Sequence, residues 1–148
     1  MKLLAVRQGE DGRFEVGVEK HVAADVFGVE QHTPVLHGGR IYAISIVTGN
    51  PAVCLGGNGE IISTTGREIN FERGPLLMVD DILLALTGKT GELVMLRATS
   101  GRLEIIGRHK VLNGTDAWAP MAVADGRLLL RDSKRLVCLR IADLEQQP

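Results

Sequence analysis

Asp80 and Asp81 form the densest carboxylate pair in the chain. Paired carboxylates are what general acid–base work or a calcium ion would require. They stand between two apolar runs, however, where acidic residues ordinarily make a tight turn and face water. His21, His32, His37 and His109 follow none of the HxH, HxxxH or HExxH spacings that bring two imidazoles to one metal. Asp116-Ala117-Trp118 sets the sole tryptophan beside a carboxylate, a pairing that could line a binding surface. Gly88-Lys89-Thr90 has the ending of a phosphate loop, but neither an earlier glycine nor a helical pattern supports it. No GxSxG, GxGxxG or Walker loop is present. Spacing draws no acid, base and electrophile together, so the residue types point away from catalysis.

The elements that position these residues are short. Residues 74–111 hold four apolar runs separated by turn signals at Asp80-Asp81, Gly88 to Gly91 and Ser100-Gly101. Runs of this length broken by Gly and Asp predict a four-stranded antiparallel meander. The unit recurs. Pro34, Pro75 and Pro120 open three copies, 41 and 45 residues apart. Each proline leads to a turn (Gly38-Gly39, Asp80-Asp81, Asp125-Gly126) and then an apolar run. The copies close on Val53-Cys54-Leu55, Val94-Met95-Leu96 and Val137-Cys138-Leu139. A period of about 40–45 residues with four strands per unit is the signature of β-propeller blades. Residues 3–7 and 12–22 echo residues 93–97 and 101–111. The predicted fold is therefore all-β, an incomplete ring of about three and a half blades. It comprises a half blade at 1–22, blades at 33–73 and 74–112, and a partial blade at 117–142. No helix of useful length is predicted, and residues 142–148 are expected to fray.

This arrangement assigns places to the candidates. Residues 23–33, 65–73 and 112–118 are the crossings between blades. His32, Arg73, Asp116 and Trp118 lie in or at the ends of these crossings, where loops converge on the axis of a propeller. They are the candidate ligand-binding residues; none is proposed as catalytic and none as a metal ligand. The first strands of the blades, residues 34–37, 75–79 and 120–124, are nearly all apolar and are expected to be covered on both faces. Cys54 and Cys138 share one strand position in blades separated by a whole blade. The geometry of blades argues against a disulfide between them, and both are expected as buried free thiols.

Composition narrows the partners. The net charge is -1 with both signs dispersed, which argues against nucleic acid. Aromatic residues are only 3%, so the core must be aliphatic. No run of 18 apolar residues exists, so no membrane span is expected. Arg7 cuts the apolar start Leu3 to Val6 too short for a signal peptide, so the sequence as given points to the cytoplasm unless a longer precursor supplies a signal.

Three stretches carry a family resemblance: residues 33–43, residues 53–62, and residues 116–132 with Leu136-Val137-Cys138-Leu139. In these the chain resembles the C-terminal part of quinoprotein-like (PQQ-repeat) propellers, the group that includes BamB-like proteins and quinone-dependent alcohol dehydrogenases. The resemblance implies a periplasmic or secreted parent. The family's blade-ending motif, Ala-x-Asp-x-x-Thr-Gly-x-x-x-Trp, is degenerate here. Ala98-Thr99-Ser100-Gly101 keeps its start, but Ile105, Ser63 and Val16 stand where the docking tryptophan would be. The quinone-dependent members also need a calcium site, an Asp base and usually a vicinal Cys-Cys pair, and no Cys-Cys occurs.

The expected function is thus a non-catalytic scaffold or protein-interaction module without a cofactor. One alternative is a segment or subunit of a quinoprotein-type oxidoreductase whose active groups lie elsewhere. Another is a lectin-like ligand-binding propeller with Trp118 and Tyr42 as platforms. An incomplete ring leaves bare edges and faces. Self-association, or completion by the remaining blades of a longer propeller, is therefore expected. In a two-chain ring the N-terminal hairpin of one copy would complete the last blade of the other.

Overall fold

The computed structural model describes residues 1–47, 49–113 and 116–141. The expectation that residues 142–148 fray, and those on Thr48, Gly114 and Thr115 within loops, fall outside the described residues. Every regular element described is a strand, as the hairpin signals required.

Thirteen strands form four antiparallel sheets, each a meander of sequence neighbours. Sheet 1 is a hairpin of β1 (Lys2–Gln8) and β2 (Phe14–His21). Sheet 2 holds β3 (Val35–His37), β4 (Arg40–Ile44), β5 (Ala52–Leu55) and β6 (Ile61–Thr64). Sheet 3 holds β7 (Leu76–Val79), β8 (Ile82–Leu86), β9 (Glu92–Thr99) and β10 (Arg102–Lys110). Sheet 4 holds β11 (Ala122–Ala124), β12 (Arg127–Arg131) and β13 (Leu136–Arg140). None of the four sheets closes on itself.

The first turn of sheets 2, 3 and 4 is the same device. Gly38, Asp80 and Asp125 all adopt left-handed backbone, with φ of 55°, 50° and 50°. Asp and Gly are residues that tolerate this conformation, which a two-residue hairpin of the primed type requires. The carboxylate pair Asp80-Asp81 is consumed here.

Side chains alternate between the two faces of each sheet, with register shifts in the β1–β2, β5–β6 and β9–β10 pairs, and three apolar layers result. Val22, Phe27, Ala43, Val53 and Leu55 pack on the first face of sheet 2. Tyr42, Ile44, Ala52 and Cys54 of sheet 2 meet Leu83, Ala85, Val94 and Leu96 of sheet 3. Leu84, Leu86 and Leu93, on the other face of sheet 3, meet Leu128 and Leu130 of sheet 4. Sheets 2, 3 and 4 are therefore stacked face to face in chain order, while the first face of sheet 2 is covered by Met1, Val22, Phe27 and Val29 from outside the strands of sheet 1.

Two expectations need correction. Only β7 of the first strands is well covered; β3 is partly exposed and β11 exposed throughout. Sheet 3 alone has a four- or three-stranded neighbour on each side, so only its first strand is enclosed. Cys138 is exposed while Cys54 is buried. Cys138 points to the side of sheet 4 on which no further sheet is packed.

Candidate functional site

The crossings between sheets gather at one side, fastened by backbone hydrogen bonds to the loops that join second and third strands. The Ile46 N–H donates to Gly28 O (2.9 Å) and the Phe71 N–H to Asn50 O (3.1 Å), tying two crossings to one loop of sheet 2. In sheet 3 the Gly88 N–H donates to Phe71 O (3.1 Å), and the Ala117 N–H donates to Gly88 O (2.9 Å). Phe27 and Phe71, both fully buried, anchor their crossings in the apolar layers. Chain entry into sheet 3 is also fixed by contact. A Cβ on Gly74 would lie 1.5 Å from Leu86 O, so only glycine fits there.

His32, Arg73 and Trp118 each stand two residues before a strand-opening proline, so the repeat places them at matching points of successive crossings. Arg73 and Trp118 come together. The guanidinium carbon lies 5.6 Å from the indole centroid, a cation–π contact. On its other side Arg73 Nε donates to Glu30 Oε2 at 2.6 Å. That carboxylate holds the Arg73 guanidinium above its already high ordinary pKa. Glu30, Arg73 and Trp118 thus link three consecutive crossings, and Glu30, Ile46, Asn50, Glu72 and Arg73 line a shallow depression.

His32 adjoins this chain but is occupied. Its Nε2 lies 3.0 Å from the Ile44 N–H and its Nδ1 lies 2.9 Å from Glu30 O. An acceptor at Nε2 and a donor at Nδ1 define the neutral tautomer. Burial lowers the His32 pKa from its ordinary value, and the Glu30 carbonyl only partly offsets this. Asp116 stands apart. It is exposed, and its left-handed backbone (φ 63°) turns the chain into the Ala117 hydrogen bond.

Glu72 and Gly88 complete the site and were not legible as candidates. A Cβ on Gly88 would lie 2.7 Å from Trp118 Nε1 and 3.0 Å from Glu72 Oε2, so the indole lies flush on this glycine. Both of those polar atoms are buried without a hydrogen-bond partner. Lys89 Nζ sits 3.7 Å from the other Glu72 oxygen. Glu30 pairs with Arg73 across two crossings and Glu72 with Lys89 of the β8–β9 turn, and single-sequence spacing carries no sign of such partners. A faint signal existed for Phe27 and Phe71, aromatic residues 44 apart within crossings of an aromatic-poor chain.

The remaining candidates are structural. Thr87 receives the Glu92 N–H on its hydroxyl (2.8 Å), and its carbonyl accepts the Gly91 N–H (3.0 Å). The Gly88-Lys89-Thr90 stretch is therefore a closed hairpin turn and no phosphate cradle. Asp81 Oδ1 lies 3.0 Å from His37 Nε2 and joins the first turns of sheets 2 and 3. Tyr42 is 1% exposed, hydrogen-bonded to Cys54, and burial pushes its pKa up to about 12. It cannot serve as an exposed platform.

Among the described residues no three His, Cys, Asp or Glu side chains converge as metal ligands. No helix among them is long and apolar enough to cross a membrane. Compared with models of known protein families and with curated proteins, the sequence matches none.

Proposed function

We propose that the chain is a non-catalytic scaffold or protein-interaction module built as part of a PQQ-like β-propeller. One observation carries this reading. The side chains best placed for chemistry are used to hold the fold together: His32 bonds to Glu30 of its own crossing and to Ile44 of β4, and Arg73 joins Glu30 and Trp118 of the neighbouring crossings. With His32 and Arg73 so engaged, the site has little left to offer a reacting substrate. The face-to-face stacking of sheets 2, 3 and 4, each a short meander, supports their reading as blades. Fold of this kind hosts many functions, so the functional weight rests on the site.

A second reading, a ligand-binding propeller, draws on the unpartnered Trp118 Nε1 and Glu72 Oε2 beside the Arg73 depression. Thermal denaturation with pyrroloquinoline quinone plus calcium, and separately with a panel of monosaccharides, separates the two. The scaffold reading expects no shift with any of them. A saturable rise in melting temperature that disappears in Trp118→Ala would replace it with the ligand-binding reading.

A further inference from the structure

Inside the molecule, sheet contacts obey one rule of sense. Val53 and Leu55 of β5 face the side that precedes sheet 2. Val94 and Leu96 of β9 face back toward sheet 2, and Val137 and Leu139 of β13 face back toward sheet 3. The residue between each pair points forward; Cys54, for example, lies in the layer shared with sheet 3. Both sheet-to-sheet layers, 2 with 3 and 3 with 4, therefore join the forward face of one sheet to the backward face of the next.

Among the described residues, the two ends leave one face of each sense free. In sheet 1, Leu4 and Val6 occupy the Val94 and Leu96 positions of the repeat and pair with Val18 and Val16. With Phe14 they form an apolar backward face on which each side chain is at least half exposed, Phe14 the most at 69%. In sheet 4, the forward face carries Leu129 and Cys138, directly paired, together with exposed Leu136.

Charge matches across these ends. On the forward face of sheet 4, Arg127 lies directly opposite Arg140, a like-charge pair. Arg127 holds the repeat position of Arg40, the first residue of β4. Arg40 presses on the outer turn of the following sheet, since a Cβ on Gly101 would lie 2.9 Å from its Nε. The equivalent turn of sheet 1 is Glu10-Asp11-Gly12, with Gly12 at φ 79° and Gly101 at φ 81°. Sheet 1 thus has two carboxylates where sheet 3 has Thr99 and Ser100.

We propose that the forward face of sheet 4 stacks on the backward face of the β1–β2 hairpin of a second copy of this chain. This rests on the repeat reading above and names the partner of the scaffold. Phe14 and Val16 of one copy cover Cys138 and Leu129 of the other. Arg127 and Arg140 meet the Glu10-Asp11 turn, which relieves their mutual repulsion. The contact is heterologous, so it closes into a ring or continues as a filament according to the rotation between copies. A face-to-face hairpin dimer is disfavoured, because it would leave the arginines of sheet 4 unanswered.

Light scattering of the full chain over a concentration series tests this, with the labelling rate of Cys138 followed in parallel. The mass is expected to exceed one chain, and Cys138 labelling to slow as concentration rises. Val16→Lys should weaken association at least about tenfold, because a charge is driven into an apolar contact. The hairpin joins the rest of its own chain through Met1, Val22 and the Lys20–Glu60 pair, so this variant should keep its far-UV spectrum. Arg127→Glu should also weaken association, and adding Glu10→Arg should restore it. In Phe14→Cys, a short bismaleimide should join the introduced thiol of one copy to Cys138 of the next. A single-chain mass with concentration-independent labelling overturns the proposal, as does assembly unaffected by Val16→Lys. Neither result touches the non-catalytic reading, which stands or falls on the ligand shifts.

Discussion

His32 shows how a residue with chemical potential becomes a structural one. Neutral, it accepts the Ile44 N–H; protonated, it has no acceptor left at Nε2. Its folded pKa is lowered, so below the ordinary value near 6.5 the unfolded chain binds more protons than the folded one. Stability from this group is complete above that value and is lost as the pH falls through the folded pKa. Urea denaturation between about pH 5 and 8 should show this decline, and His32→Ala should flatten it. The same variant should cost about 1–3 kcal/mol at neutral pH, because it strands the buried Ile44 N–H. Gly88 makes a second residue-scale case. Alanine there would push on both Trp118 and Glu72. Gly88→Ala is expected to cost about 1–3 kcal/mol and to red-shift the emission of Trp118, the only tryptophan. An unchanged spectrum would show that the indole does not rest on Gly88.

At the scale of elements, the alternation along each strand decides what is reactive. Cys54 and Cys138 hold one repeat position, yet only Cys54 has a sheet stacked over it. Burial also raises the Cys54 pKa, which lowers its thiolate fraction. In dilute solution a thiol reagent should modify Cys138 rapidly and Cys54 only on unfolding; two fast thiols would mean that sheets 2 and 3 are not packed together. The sequence made strands and turns readable because both are local: Asp80-Asp81 and Asp125-Gly126 can do little else between apolar runs. It also made His32, Arg73 and Trp118 readable, because the strand-opening prolines fix their positions. It did not reveal Glu30 or Glu72, whose importance depends on partners up to 43 residues away. Nor did it reveal that the flanking sheets leave β3 and β11 uncovered. A residue's alternation says that it is on a face, and only the neighbouring sheet says whether that face is dry.

At the scale of the whole molecule, sheets 2, 3 and 4 form a stack in which each apolar layer joins only adjacent sheets, so the stability of this part should behave as a sum of nearest-neighbour terms. Sheet 3 takes part in two layers and sheet 4 in one, whereas no strand residue of sheet 1 belongs to any of them. Local opening should therefore begin at the ends and reach the centre last. Amide exchange is expected to be slowest in β8 and β9 and fastest in β1 and β2. Two core truncations should then behave differently, although each should cost about 2–5 kcal/mol. Leu83→Ala opens the layer between sheets 2 and 3 and should speed exchange in both. Leu130→Ala opens the layer between sheets 3 and 4 and should release β11–β13 while leaving β4 and β5 protected. Equal acceleration everywhere by both variants would mean one indivisible core, and the serial stack would then be the wrong description of how this chain holds together. If exchange in β1 and β2 also slows as the protein is concentrated, the protection of the hairpin comes from a neighbouring copy, because no described sheet of its own chain covers that face.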